Sequence, residues 1–125
     1  ILHCPTHMIL PYDDRLSLFV KHIQQVDMES NGKVVMRDGS MSHDKTGPQI
    51  FGEPGTDSQH SFMQLVHQGS DIIPVDFIAC VKPDHTYPDH HAELLGNMLA
   101  QSRALAFGQT LSEAGGDASR VFDGN

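Results

Sequence analysis

Two hydrophobic periods alternate between residues 49 and 107, and that alternation restricts the chain to few architectures. Gln49-Ile50-Phe51 is a short candidate strand running into the loop Gly52-Glu53-Pro54-Gly55-Thr56. Asp57 and Ser58 can cap a helix that carries Phe62, Leu65 and Val66 on one side and ends at Gly69. Residues 72–81 place Ile73, Val75, Phe77, Ala79 and Val81 at period two, which predicts a strand. Pro74 donates no ladder hydrogen bond, so that strand must begin there or lie exposed. Over 89–107, Leu94, Leu95, Met98, Leu99, Leu105 and Ala106 recur at helical spacing, with Gly108 as the stop. Strand, helix, strand and helix in this order predict an α/β layer with a right-handed crossover.

Upstream, Leu16, Phe19, Val20, Ile23 and Val26 predict a helix over 13–28 that stops near 29–32, where Asn31-Gly32 suits a tight turn. Val34–Met36 reads as a short strand, and residues 40–48 as a polar loop. Residues 109–125 are expected to form a loosely ordered tail, with no internal domain boundary over 1–125. A chain of 125 residues suits one core. It starts on Ile and ends on a turn-like Phe-Asp-Gly-Asn, which reads as a piece of something longer. Sixteen acidic residues against eight basic give a net charge of −8, which argues against nucleic acid as a partner. No stretch approaches the roughly 18 apolar residues of a membrane span, and two cysteines fit a reducing compartment rather than a disulfide framework.

Periodicity alone stops at an α/β domain; the loops carry the chemistry. Gln25-Val26-Asp27-Met28-Glu29-Ser30-Asn31-Gly32-Lys33 puts a carboxylate at a helix end beside a tight turn. Gly52-Glu53-Pro54-Gly55-Thr56-Asp57-Ser58-Gln59-His60-Ser61-Phe62 joins a strand end, a glycine loop, a helix start and a histidine. In open α/β sheets ligands bind beyond the carboxyl ends of strands, where this second run falls.

These runs resemble the phosphoglucose isomerase (glucose-6-phosphate isomerase) family, of the sugar-isomerase (SIS) domain type. The resemblance continues through Thr46-Gly47-Pro48, His67-Gln68-Gly69, Ile73-Pro74, Asp76-Phe77-Ile78, Asp89-His90-His91, Ala100-Gln101 and Ala104-Leu105-Ala106-Phe107-Gly108, in order and over nearly the whole chain. It implies a partial three-layer α/β SIS domain, cut from the middle of the second such domain of a longer, cytoplasmic, homodimeric enzyme. The implied activity is interconversion of glucose 6-phosphate and fructose 6-phosphate through a cis-enediol, with no cofactor and no metal. A non-catalytic sugar-phosphate-binding SIS module is the alternative.

By the same resemblance Glu29 matches the catalytic base that moves a proton between C1 and C2. His60, 31 residues later, matches the histidine that helps open the pyranose ring, supplied in family dimers across the subunit interface. Gln25 matches a glutamine directed at the substrate. It stands at i−4 from Glu29, so the two can share a helix face, although an exposed helix glutamine is nearly as ordinary. Glu53 is read as structural, Lys33 as solvated, and Cys4 and Cys80 as a mobile end and a small strand residue. His85, His90 and His91 do not have a usual zinc spacing. The family usually has Thr-Asn-Gly-Gln-His where this chain has Thr56-Asp57-Ser58-Gln59-His60. The family's phosphate loop, enediolate-stabilising arginine and late lysine have no counterpart in these residues, so the chain by itself is expected to be inactive.

Overall fold

The computed structural model describes residues 4–122 and 124. Its centre is a parallel sheet of three strands, β1 (Thr6–Tyr12), β2 (Gln49–Phe51) and β3 (Val75–Ala79), in the order β2-β1-β3. β1 pairs over Thr6–Met8 with β2 and over Met8–Tyr12 with β3. The α/β parallel layer expected from 49–107 is therefore present, but β2 and β3 are not neighbours. Their connection passes over β1, which the sequence reading did not assign.

The strand went unassigned because β1 shows no alternation. Met8, Ile9, Leu10, Pro11 and Tyr12 are all buried, since both faces of a central parallel strand are covered. Pro11 also argues against a central strand. The Met8 N–H donates to the Pro74 carbonyl on the β3 side at 2.9 Å. Alternation then turns residue 11 toward the β2 side, where pairing has already ended at Met8 and Phe51. No ladder bond is lost. Pro74 itself immediately precedes β3, so the predicted strand starts at Val75 rather than at 72.

Helices cover both faces. On one, α1 (Phe19–Ile23) packs Phe19, Val20 and Ile23 against Ile9, Ile50 and Ile78. On the other, Met8, Leu10, Tyr12 and Phe77 meet Met63 and Val66, and Leu94, Met98 and Leu105. The first pair lies on α3 (Met63–Gln68) and the other three on α4 (Pro88–Phe107). A short α2 (Gly55–Ser58) precedes α3, so the one helix expected over 57–69 is two, with a turn between them at 59–62. Gly108, at φ 67°, ends α4 as its sequence position required.

The helix expected over 13–28 divides as well. A single 3-10 turn at Asp14–Leu16 precedes α1, and Gln24–Glu29 continues it as a π-helix. Val34–Met36 is not a strand. Val35 makes one antiparallel bridge to Met41, and all four side chains stay exposed, so there is no buried face to hold a strand in register. Among the tail residues, Gln109 and Phe122 are bonded in both directions, and Gln68 Nε2 donates to the Ser119 and Val121 carbonyls at 2.8 and 3.1 Å.

Candidate active site

The loop after β2 is shaped by two glycines. Gly52 has φ 152°, and a Cβ there would lie 1.9 Å from the Ile9 carbonyl oxygen. At Gly55 a Cβ would lie 2.1 Å from the ring of Tyr12, itself only 1% exposed. The backbone thus lies directly on β1, and only glycine permits that approach. Ser58, where the resemblance implies a glycine, is fully buried, and its hydroxyl donates to the Gly55 carbonyl at 2.6 Å. The substitution is satisfied locally. Glu53 accepts a hydrogen bond from the Ser61 hydroxyl and so braces the loop, through a side chain rather than backbone amides.

A cleft of about 390 Å³ opens beyond the carboxyl ends of the strands. Its walls come from the segments after all three strands, with His91 and Leu94 of α4. Asp13 accepts from Arg15 Nε at 2.9 Å and Nη2 at 2.6 Å, and Arg15 Nη1 lies 3.3 Å from Asp84. The Arg15 guanidinium, with help from the Cys80 thiol, holds the Asp13 carboxyl well below the usual carboxylate range. The same contact with Asp13, joined by desolvation, raises the Cys80 thiol. Buried His91 shares a hydrogen bond of 3.2 Å with the Val81 carbonyl. The charges of this cleft are largely paired with one another.

Glu29, Gln25 and His60 are not among the residues lining it. Glu29 and Gln25 sit on the π-helical segment and are exposed. The π register alters the angular offset expected for an α-helical i, i+4 pair, and π-helical turns are frequent at functional sites. His60 is exposed in the turn between α2 and α3, where its N–H donates to the Asp57 carbonyl at 3.0 Å. Among the described residues no hydrogen bond or ion pair joins Glu29 to His60.

The segment bearing Glu29 is closely held by its neighbours. Gln24 Nε2 donates to the Ile50 carbonyl at 2.9 Å, and the Ile50 N–H donates to the Met28 sulfur at 3.4 Å. Lys33 is not simply solvated: its ammonium donates to the Glu29 and Ser30 carbonyls at 2.7 and 2.6 Å, closing the end of the helix. Asn31 donates to Asp27. One signal for Gln24 was present in the sequence. It follows Val20 by four residues, which puts an amide on the apolar stripe. Other motif residues bond to the scaffold: His67 with Gln101 at 2.9 Å, and Asp76 with His7 at 2.9 Å.

Among the described residues no group of three or more His, Cys, Asp or Glu side chains is placed to hold a metal, and no helix is long and apolar enough to cross a membrane.

A parallel α/β layer with shaped loops beyond its strands is a ligand-binding architecture, and the comparisons place it further. The family model described as phosphoglucose isomerase matches residues 1–122. The chain is 54% identical over 112 residues to the glucose-6-phosphate isomerase of Dechloromonas aromatica, covering 90% of this chain and 21% of that protein. It is 48% identical over 132 residues to that of Deinococcus deserti, covering 96% and 24%. The crystal structure of a glucose-6-phosphate isomerase from Chlamydia trachomatis superposes with a TM-score of 0.79 at 38% identity, over 98% of this chain and 24% of that one. This chain belongs to the phosphoglucose isomerase family. It spans about a fifth to a quarter of the length of the relatives it matches.

Proposed function

We propose that this chain supplies the proton-transfer base and the ring-opening histidine of an isomerase that interconverts glucose 6-phosphate and fructose 6-phosphate without cofactor or metal. The observation that carries the reading is Glu29. Its carboxylate is exposed on a segment whose backbone is held on both sides, within a chain whose relatives bear the name of that activity. An exposed, anchored carboxylate suits proton transfer, which requires a base free of other partners yet fixed in place.

In the open-chain aldose Glu29 takes the proton from C2. The C2–H electron pair becomes the C1=C2 bond, and the C1 carbonyl oxygen is protonated, giving the cis-enediol. Returning the proton to C1, while the C2 hydroxyl gives up its own, yields the ketose. His60 acts before this, passing a proton to the ring oxygen as its bond to C1 breaks, while the C1 hydroxyl gives up its proton and becomes the aldehyde carbonyl; an imidazole can both donate and accept a proton. His60 comes from the second copy of a homodimer, and Gln25, beside the base, contacts the sugar. The enediolate needs a fixed cation that these residues do not match, so the 125 residues by themselves are expected to give no turnover in a coupled assay.

The test is Glu29→Gln in a full-length isomerase carrying this segment. Glutamine keeps size and hydrogen bonding but accepts no proton from carbon, so turnover should fall by about 10²–10⁴-fold with substrate still bound. Near-normal turnover removes Glu29 from the role. His60→Ala should slow the cyclic substrate far more than one supplied as the open-chain aldehyde. Equal losses on the two would assign His60 elsewhere.

A further inference from the structure

Two backbone groups of one buried residue are held by side chains of the π-helical segment. Ile50 is 4% exposed; its carbonyl accepts from Gln24 Nε2, and its N–H donates to the Met28 sulfur. β2 is an edge strand, and these two bonds cover its free edge, where an unpaired buried carbonyl or N–H would otherwise be costly. Thioether sulfur is a weak acceptor, so Gln24 makes the stronger of the two attachments. Glu29 follows Met28 directly, and on its other side Lys33 holds the Glu29 and Ser30 carbonyls.

We propose that Gln24 is a positioning residue for Glu29: its amide pins the π-helical segment to the β2 edge and so sets where the Glu29 carboxylate meets the substrate carbon. The proposal rests on the reading of Glu29 as the base. Gln24 itself bonds the strand rather than the sugar, and its effect travels along five residues of held backbone. Proton transfer between a carboxylate and carbon falls steeply with small errors of placement, while the binding of a sugar phosphate through its other groups does not. Loss of the Gln24 bond should therefore lower kcat and leave KM nearly alone.

The experiment uses a full-length isomerase carrying this segment, with Glu29→Gln as its reference. Gln24→Met keeps length and removes the donor. The expected result is a kcat lower by about tenfold, with KM changed by less than about twofold. The kinetic isotope effect with substrate deuterated at C2 should also rise, because proton transfer becomes more rate-limiting. A change that only loosened the fold would not move that isotope effect. Gln24→Glu supplies a second arm within one folded protein. Ionised, its carboxylate faces the Ile50 carbonyl and repels it; protonated, it donates as the amide did. Its kcat relative to the parent should rise as pH falls toward about 5. A parental kcat and isotope effect in Gln24→Met, or a flat pH ratio in Gln24→Glu, with Glu29→Gln inactive, overturns the positioning role alone. An active Glu29→Gln overturns the base reading and this inference together.

Discussion

At the carboxyl ends of β1 and β3, polar groups hold one another inside a walled cleft. On the free edge of β2 they hold the backbone and leave one carboxylate in water. In the cleft Asp13, Arg15 and Asp84 form a chain of ion pairs over a packed floor of Tyr12 and Gly55. In the Gln24–Lys33 segment the side chains of Gln24, Met28 and Lys33 all bond to main-chain groups. The carboxylate of Glu29 accepts no hydrogen bond among the described residues. The cleft and the exposed Glu29 carboxylate are thus separated within this chain. The cleft is where volume is critical and Arg15 is already shared between Asp13 and Asp84, with the Asp14 carboxylate beside them. In the other region only Gly32, whose Cβ would lie 2.4 Å from the Met28 carbonyl oxygen, is tight in the same way; Gly47 beside it has room, and the Glu29 carboxylate is exposed without a partner among the described residues.

The sharpest way to break that contrast is to add volume to each region. Gly55→Val drives a branched side chain into the ring of Tyr12, which is enclosed and cannot withdraw. A loss of about 3 kcal/mol or more is expected in chemical denaturation of a full-length isomerase carrying the segment. Gly47→Ala, against the other region, places its Cβ 3.8 Å from Asn31 Cβ and 3.9 Å from Asp27 Oδ2, ordinary contact distances. It should cost less than about 1 kcal/mol, since surface changes away from special features are usually small. Equal costs at the two sites would mean that the loop after β2 is not held by packing on β1.

A smaller effect separates paired charge from free charge. Asp13 is bonded to the guanidinium and to the backbone N–H of Arg15, and its ionisation is displaced downward. A carboxyl with a depressed folded value stabilises the native state above its unfolded value. That contribution is lost as pH falls through the acid range toward the folded one. Asp13→Asn should therefore cost about 1 kcal/mol near neutral pH, the scale of a partly exposed pair. The difference from the parent should shrink steadily below about pH 4, the unfolded carboxyl range. A gap that stays constant from neutral to acid pH would place the role of Asp13 in packing.

How much could be read beforehand follows the same division. β3, α4 and the loop Gly52-Glu53-Pro54-Gly55-Thr56 were legible because alternation, helical spacing and glycine are local signals. β1 was not, because a strand covered on both faces loses its alternation, and Pro11 is tolerated only through where β2 ends. The π register of Gln24–Glu29 was equally hidden. Its apolar spacing is close to that of an α-helix, and what distinguishes it are bonds to Ile50, 26 residues away from Gln24. The motif residues Glu29, His60 and Gln25 were recognisable as a set, yet nothing local in the sequence says that they lie outside the cleft.

The smallest expected effect concerns the floor of the cleft. Tyr12 is buried, and its hydroxyl has no hydrogen bond of ordinary length and angle among the described residues; nor has the buried Nε2 of Gln59, the residue before His60. Desolvation raises the Tyr12 hydroxyl above the ordinary phenol range, and the nearby Gln59 side chain draws it only part of the way back. A buried hydroxyl that makes no good bond contributes its desolvation cost without the compensating interaction. Tyr12→Phe retains the ring, its contact with Phe77 and the surface against Gly55. Stability should therefore change little or rise, by at most about 1 kcal/mol, whereas removing one partner of a buried bond ordinarily costs about 1–3 kcal/mol. A double-mutant cycle with Gln59→Leu reads the interaction directly, and near-zero coupling is expected. If Tyr12→Phe is costly and the coupling is large, the hydroxyl and the amide are true partners. The floor of the cleft would then be held by a polar link running from β1 to the residue before His60, and the two regions would differ less than their packing suggests.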